Sequence, residues 1–135
     1  MVSNKAIEEF NEAKAAGVVT RPVVLGPVSF LVLSKAAKEA KPSFHPISLL
    51  TKLILVYKQP LGDLKAAGAT GAEWVQVDEP ILVLNAAETS EEFSAAYSEL
   101  VPVSPKIMLT TYYDRHRLEP QVRHQALRRW SPHRP

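Results

Sequence analysis

The chain has 135 residues, 46% of them apolar and 22% charged, with a formal net charge of +2. That is the size and composition of one globular domain able to bury a real core. The absence of cysteine excludes disulfides, thiolate metal ligands and a cysteine nucleophile, and it fits a reducing compartment.

The charge is uneven. Residues 115–135 carry six Arg against one Glu, whereas the first 114 carry ten Lys and Arg against thirteen Asp and Glu. These are two different kinds of polypeptide. The opening "MVSNKAIEEFNEAK" is charged and mixed, without the apolar core of a secretory signal. No window of about 18 uncharged apolar residues suggests a membrane span. The expectation is a soluble, cytoplasmic protein.

In chain order, "AIEEFNEAKAAG" predicts an amphipathic helix with Ile7, Phe10 and Ala13 on one side and Gly17 as its stop. Residues 21–33, "RPVVLGPVSFLVL", are rich in Val and Leu and uncharged after Arg21, the pattern of a strand buried on both faces of a parallel sheet. Pro27 cannot donate to a central ladder, so the strand is expected to end near Leu25 and a helix to occupy residues 28–40. Residues 46–69 form a long helical candidate, with a stripe of Leu49, Leu50, Leu53, Ile54, Tyr57, Leu61 and Leu64. Pro60 lies inside it. An interior proline costs on the order of 3 kcal/mol, which predicts a kink or break near Gln59.

A second strand is expected from about Glu73 in "EWVQVDEPILVL". Thr89-Ser90-Glu91-Glu92 fits a capping box that opens a helix through Val101. "KIMLTTYYD", residues 106–114, reads as a third strand. Strands separated by helices imply crossover connections and a parallel sheet. The fold class is therefore α/β, and the span corresponds to part of a (β/α)8 barrel, which needs about 250 residues to close.

Parallel α/β folds place ligands beyond the carboxyl ends of their strands. Three such ends are visible: Gly26-Pro27, Asp78-Glu79-Pro80, and the run from Thr110 to Asp114. Asp78 and Glu79 are the candidate substrate-binding residues, able to accept hydrogen bonds from a substrate amine or to act as a general base. Successive residues of an extended segment point opposite ways, so one of the two is expected to face a barrel axis. The competing reading is a strand-end acid that caps a loop or pairs with a nearby Lys.

Four stretches, "RPVVLGPVSFLVLSKAAK", "LLTKLILVYKQPLGDLKAAGA", "EWVQVDEPILVL" and "KIMLTTYYD", resemble in order and spacing the N-terminal domain of cobalamin-independent methionine synthase. The resemblance covers residues 5–114, and the pairing of "LGPVSFLVLSK" with "VQVDEP" is its most specific part. It implies a two-barrel enzyme that transfers a methyl group from 5-methyltetrahydropteroyltriglutamate to homocysteine in methionine biosynthesis. It also implies a zinc ion, held in the C-terminal barrel by His, Cys and acidic ligands, that activates the thiol. The N-terminal barrel is implied to hold no metal and to help bind the folate tail.

Against that pattern, "KQPLGD" puts Pro60 and Gly62 in a plain helix, and "GATGAEW" is about two residues longer than the usual helix-to-strand turn. The resemblance places the start of the N-terminal barrel upstream of Met1 and the whole C-terminal barrel outside these residues. The expectation is an inactive fragment, with no catalytic residue and no metal bound by this chain. The alternative is a non-catalytic assembly module that self-associates through exposed barrel edges.

The remaining candidates are weaker. Residues 115–135 read as a disordered, solvated tail. Nucleic-acid binding through its arginines and tryptophan is a minor alternative, and His116, His124 and His133 lack zinc-finger spacing. Tyr112-Tyr113 is a packing pair before it is a ligand platform. His45 reads as solvated, Trp74 as a core or interface residue, and Gly26-Pro27 lacks the spacing of a phosphate loop.

Overall fold

The computed structural model describes residues 4–67, 73–84 and 89–112. Three strands, β1 (Val23–Leu25), β2 (Trp74–Asp78) and β3 (Lys106–Thr110), form one parallel sheet in the order β1-β2-β3. Helices fill both crossovers: α2 (Pro27–Val32) and α3 (Leu50–Ala67) between β1 and β2, then α4 (Ile81–Leu84) and α5 (Ser90–Leu100) between β2 and β3. Helix α1 (Lys5–Ala15) precedes β1, and a 3-10 turn (Pro46–Leu49) leads into α3. The α/β class and parallel strands agree with the sequence expectation.

Alternation along β2 separates the sheet's faces. Val75 and Val77 are closed against Val28, Leu61, Leu64, Phe93, Ala96 and Leu100 in one core, with Val24, Ile107 and Leu109 packed against it. Trp74, Gln76 and Asp78 therefore stand on the other face. The register brings Val23, Gln76 and Met108 into one row there, and Leu25, Asp78 and Thr110 into the next, at the carboxyl rim. Val23, Leu25 and Met108 are exposed.

The end of α1 follows from Gly17, whose φ of 78° is the left-handed conformation that a glycine adopts without strain. The Val18 amide donates to the Ala13 carbonyl and the Gly17 amide to the Lys14 carbonyl, both at 2.9 Å, a complete Schellman stop. Phe10 is the residue that α1 buries.

Four local expectations are corrected. The helix after Pro27 ends at Val32 rather than Ala40: "SKAAKEAK" offers no large apolar side chain to bury, and the Ser34 hydroxyl turns back to the Phe30 carbonyl. Helix α3 runs unbroken through Pro60; the burial of Ile54, Leu61 and Leu64 on either side of Pro60 holds it together. Thr89 stands at the N-cap of α5, but its side chain makes no capping bond. Strand β3 ends at Thr110; Tyr113, Asp114 and the basic tail lie outside the described residues.

Candidate functional site at the carboxyl rim

Helix α2 begins with a deficit. Its N-cap is Gly26, which has no side chain to receive the helix's first free amides, and Pro27 occupies the next position. Residue 79 has the complementary deficit: a carboxylate in an apolar run, fully buried at 0% exposure, requires donors.

The fold joins the two. Glu79 Oε2 accepts from the Ser29 amide at 2.7 Å, and Oε1 accepts from the Val28 amide at 3.3 Å. Glu79 thus performs, from about fifty residues away in the chain, the task of a side-chain N-cap. The Tyr97 hydroxyl of α5 donates to Oε1 at 2.9 Å. In return, the Ser29 hydroxyl accepts the amide of Ile81, the first residue of α4, at 3.1 Å.

Backbone bonds carry the ladder past the strands. The Gly26 amide donates to the Asp78 carbonyl at 2.7 Å and the Glu79 amide to the Thr110 carbonyl at 2.8 Å. Tyr57 of α3 completes the clamp, donating its hydroxyl to the Leu25 carbonyl at 2.7 Å. Gly26 is a steric requirement here. A Cβ at that position would lie 2.1 Å from Glu79 Cδ, inside any allowed contact, although the backbone conformation itself is ordinary extended chain.

Electrostatics follow from the closure. Burial pushes the Glu79 carboxyl above its ordinary value of 4.5, while hydrogen bonds from Ser29, Tyr97 and Val28 pull in the opposite direction. Burial, then the nearby Glu79 carboxylate, pushes the Tyr57 hydroxyl up to about 12. The same two causes raise Tyr97 well above its ordinary value. Tyr97 also stacks on Phe93, ring centroids 4.2 Å apart, which fixes its ring and so aims its hydroxyl.

Asp78 has different surroundings. Its Oδ1 accepts from the Gln76 amide group at 2.9 Å, and Gln76 Oε1 in turn accepts from the Arg21 guanidinium at 3.0 Å. The two adjacent acids are thus divided: Glu79 inside the helix layer, Asp78 on the open face in the rim row with Leu25 and Thr110. The Thr110 hydroxyl beside it is buried without a hydrogen-bond partner among the described residues.

At the opposite end of the sheet, Lys106 pairs with Glu73 and lies 5.4 Å from the centre of the Trp74 ring. Within the described residues His45 does not join Asp78 in any group able to hold a metal. Among the described residues no three His, Cys, Asp or Glu come together to do so, and His116, His124 and His133 lie outside those residues. With no cysteine in the chain, these residues do not fit a thiolate-ligated zinc. Tyr97 and Ser29 are the network members that sequence reasoning missed. Their signal was the unmet acceptor need of a helix that starts on glycine.

The site is a rim built from a parallel α/β sheet in which the "LGPVS" turn and the "VQVDEP" strand end are two halves of one hydrogen-bonded unit. Residues 1–126 match the family described as cobalamin-independent synthase, N-terminal domain, and the chain belongs to that family. It is 53% identical over 111 residues to the 5-methyltetrahydropteroyltriglutamate–homocysteine methyltransferase of Candida albicans, covering 81% of the chain and 14% of that relative. It is 46% identical over 114 residues to methyltransferase 1 of that name from Arabidopsis thaliana, covering 82% and 14%. With the Caulobacter vibrioides enzyme of the same name it shares 47% over 116 residues, covering 84% and 14%. The chain thus spans about one-seventh of the length of these relatives.

Proposed function

We propose that this chain forms part of the N-terminal barrel of a methionine synthase of the cobalamin-independent kind, and that it supplies architecture and a polar rim to methyl transfer from 5-methyltetrahydropteroyltriglutamate to homocysteine. The observation that carries this reading is the meeting of the two family stretches in the Glu79 network: the parts most specific to the family are the parts that hold the rim together. The (β/α)8 barrel, the folate and homocysteine substrates and a cytoplasmic setting belong to the same proposal. No helix among the described residues is long and apolar enough to cross a membrane.

Within this reading Asp78 is the ligand-facing carboxylate, since it stands on the face that a barrel turns toward its axis, and Glu79 holds it in place from behind. Zinc chemistry belongs to residues other than these. Activation of a thiol by zinc uses a metal-bound thiolate, and neither the cysteine-free composition nor the described geometry assembles the ligands. The chain alone is therefore expected to transfer no methyl group. The test incubates the purified 135-residue chain with zinc, homocysteine and isotopically labelled methyl-folate triglutamate. Labelled methionine at the level of the buffer blank is expected; turnover above it overturns the proposal.

The sheet favours one further reading, assembly. Among the described residues β1 and β3 each have a strand neighbour on one side only, and open parallel edges invite pairing with another chain. Light scattering on a size-exclusion column decides: a concentration-dependent dimer supports edge pairing, and a cooperative monomer at every concentration removes it.

A further inference from the structure

Along a strand, alternate residues turn their backbone groups to opposite edges. On β1 the even-numbered residues face β2: the Pro22 carbonyl accepts the Gln76 amide at 2.9 Å, and the Gly26 amide donates to the Asp78 carbonyl at 2.7 Å. Val23 and Leu25 therefore turn theirs to the outer edge. The Leu25 carbonyl there accepts the Tyr57 hydroxyl, which closes the edge at the rim. The Val23 amide and carbonyl and the Leu25 amide have no partner among the described residues. Pro22, which has no amide to give, sits at an inward position, so it takes no donor from the outer edge.

The side chains around this edge are apolar and uncovered: Val18, Val19, Val23 and Leu25 are all exposed. Two clefts flank the strand. One, of about 530 Å³, is lined by Lys5, Glu9, Phe10, Thr20, Arg21 and Val23. The other, of about 320 Å³, is lined by Val24, Val56, Tyr57, Pro60, Leu61 and Leu64. Lys5 and Ala6 of α1 belong to both, so the two join as one groove around the edge, with α1 as its far wall.

The two sides of that groove differ in chemistry. The second cleft is walled almost entirely by apolar groups. The first holds two cations and one acid, and the acid is already taken, because Glu9 pairs with Lys5 at 3.4 Å. Arg21 enters none of the ion pairs among the described residues; its guanidinium donates to the neutral Gln76 side chain. A strand laid along β1 sends alternate side chains to the two sides. Main-chain bonds then supply affinity and the two clefts supply specificity, as in other cases of strand addition.

We propose that the outer edge of β1 is a strand-addition site for an extended segment of another polypeptide, one that alternates an apolar side chain, seated in the cleft over Val24 and Leu64, with an acidic side chain that meets Arg21. This deepens the assembly reading by naming the edge and the partner, and it rests on that reading alone; the methyl-transfer reading stands without it.

The test titrates the nitrogen-15-labelled full chain with a blocked pentapeptide alternating glutamate and valine. Proton–nitrogen NMR spectra and amide hydrogen exchange are recorded at each step. The expected result is a shift and slowed exchange at the Val23 and Leu25 amides. A lysine–valine peptide of the same length should bind about fivefold more weakly, the scale of one exposed charge pair. The glutamate–valine peptide N-methylated on every amide should give no slowing. Arg21→Gln should erase the preference for glutamate over lysine while the Val23 and Leu25 amides still respond.

Unchanged Val23 and Leu25 amides, equal binding of the two charge types by the wild-type chain, or a preference that survives Arg21→Gln overturns the proposal. Slowing at Ile107 and Leu109 alone, on the outer edge of β3, keeps assembly but overturns this edge. Protection of Val23 that grows with protein concentration and needs no peptide assigns the groove to a second copy and overturns the acidic partner. The wild-type comparison of peptides decides even where the variant does not fold.

Discussion

Val75 and Val77 are closed against helices, while Gln76 and Asp78, one residue along the same strand, stand on a face where Val23 keeps 54% and Met108 37% of its surface exposed. The covered face ends at the rim in Glu79, enclosed and hydrogen-bonded to three donors. The open face ends in Asp78, held through one oxygen by Gln76. One strand therefore carries two layers with separate duties. The helix side carries the packed core, and the open side carries exposed and half-buried residues. Two adjacent acids, alike in sequence, are divided between those duties by a single step along the backbone.

Substitutions that break this division rank by what they leave unpaired. Glu79→Ala strands two amides and a tyrosine hydroxyl in a closed pocket. Urea denaturation is expected to show a loss of about 4 kcal/mol, the scale for leaving three buried donors without their acceptor. A loss below about 1 kcal/mol would mean that water reaches the pocket. Leu64→Ala, at a fully buried core position, should cost about 3 kcal/mol, against less than about 0.5 kcal/mol for Met108→Ala on the open face; equal losses would erase the distinction between faces.

Gly26→Ala tests closure from the other side. Overpacking against Glu79 should cost about 2 kcal/mol, and it should cost much less in a Glu79→Ala background, a non-additivity that a double-mutant cycle reads directly. Tyr57→Phe removes one hydrogen bond to the Leu25 carbonyl, a loss of about 1 kcal/mol. Lys106→Ala removes the exposed pair with Glu73 at the far end of the sheet and should change stability by less than about 0.5 kcal/mol.

Much of this layout was legible in the residues. Val-rich runs separated by amphipathic helices led to parallel strands, and Gly17 marked the end of α1. The residues also marked Asp78-Glu79 as out of place in an apolar stretch. They did not mark where Glu79 goes, because its partners, Val28, Ser29 and Tyr97, lie on other elements and no local period links them. The connection becomes readable only when two shortages are matched: a helix opening on Gly26 lacks an acceptor, and an acid in an apolar run lacks donors. The early end of α2 and the continuity of α3 through Pro60 were set by burial against neighbours, which outweighs local propensity.

The central claim is that the Glu79 unit belongs to the cooperative core. Native-state hydrogen exchange at the Ser29 amide, 2.7 Å from the Glu79 carboxylate, tests it without altering the chain. The account predicts exchange only through global unfolding, at the level of the slowest core amides. Exchange of Ser29 as fast as the amides of the exposed stretch at residues 35–39 would contradict it.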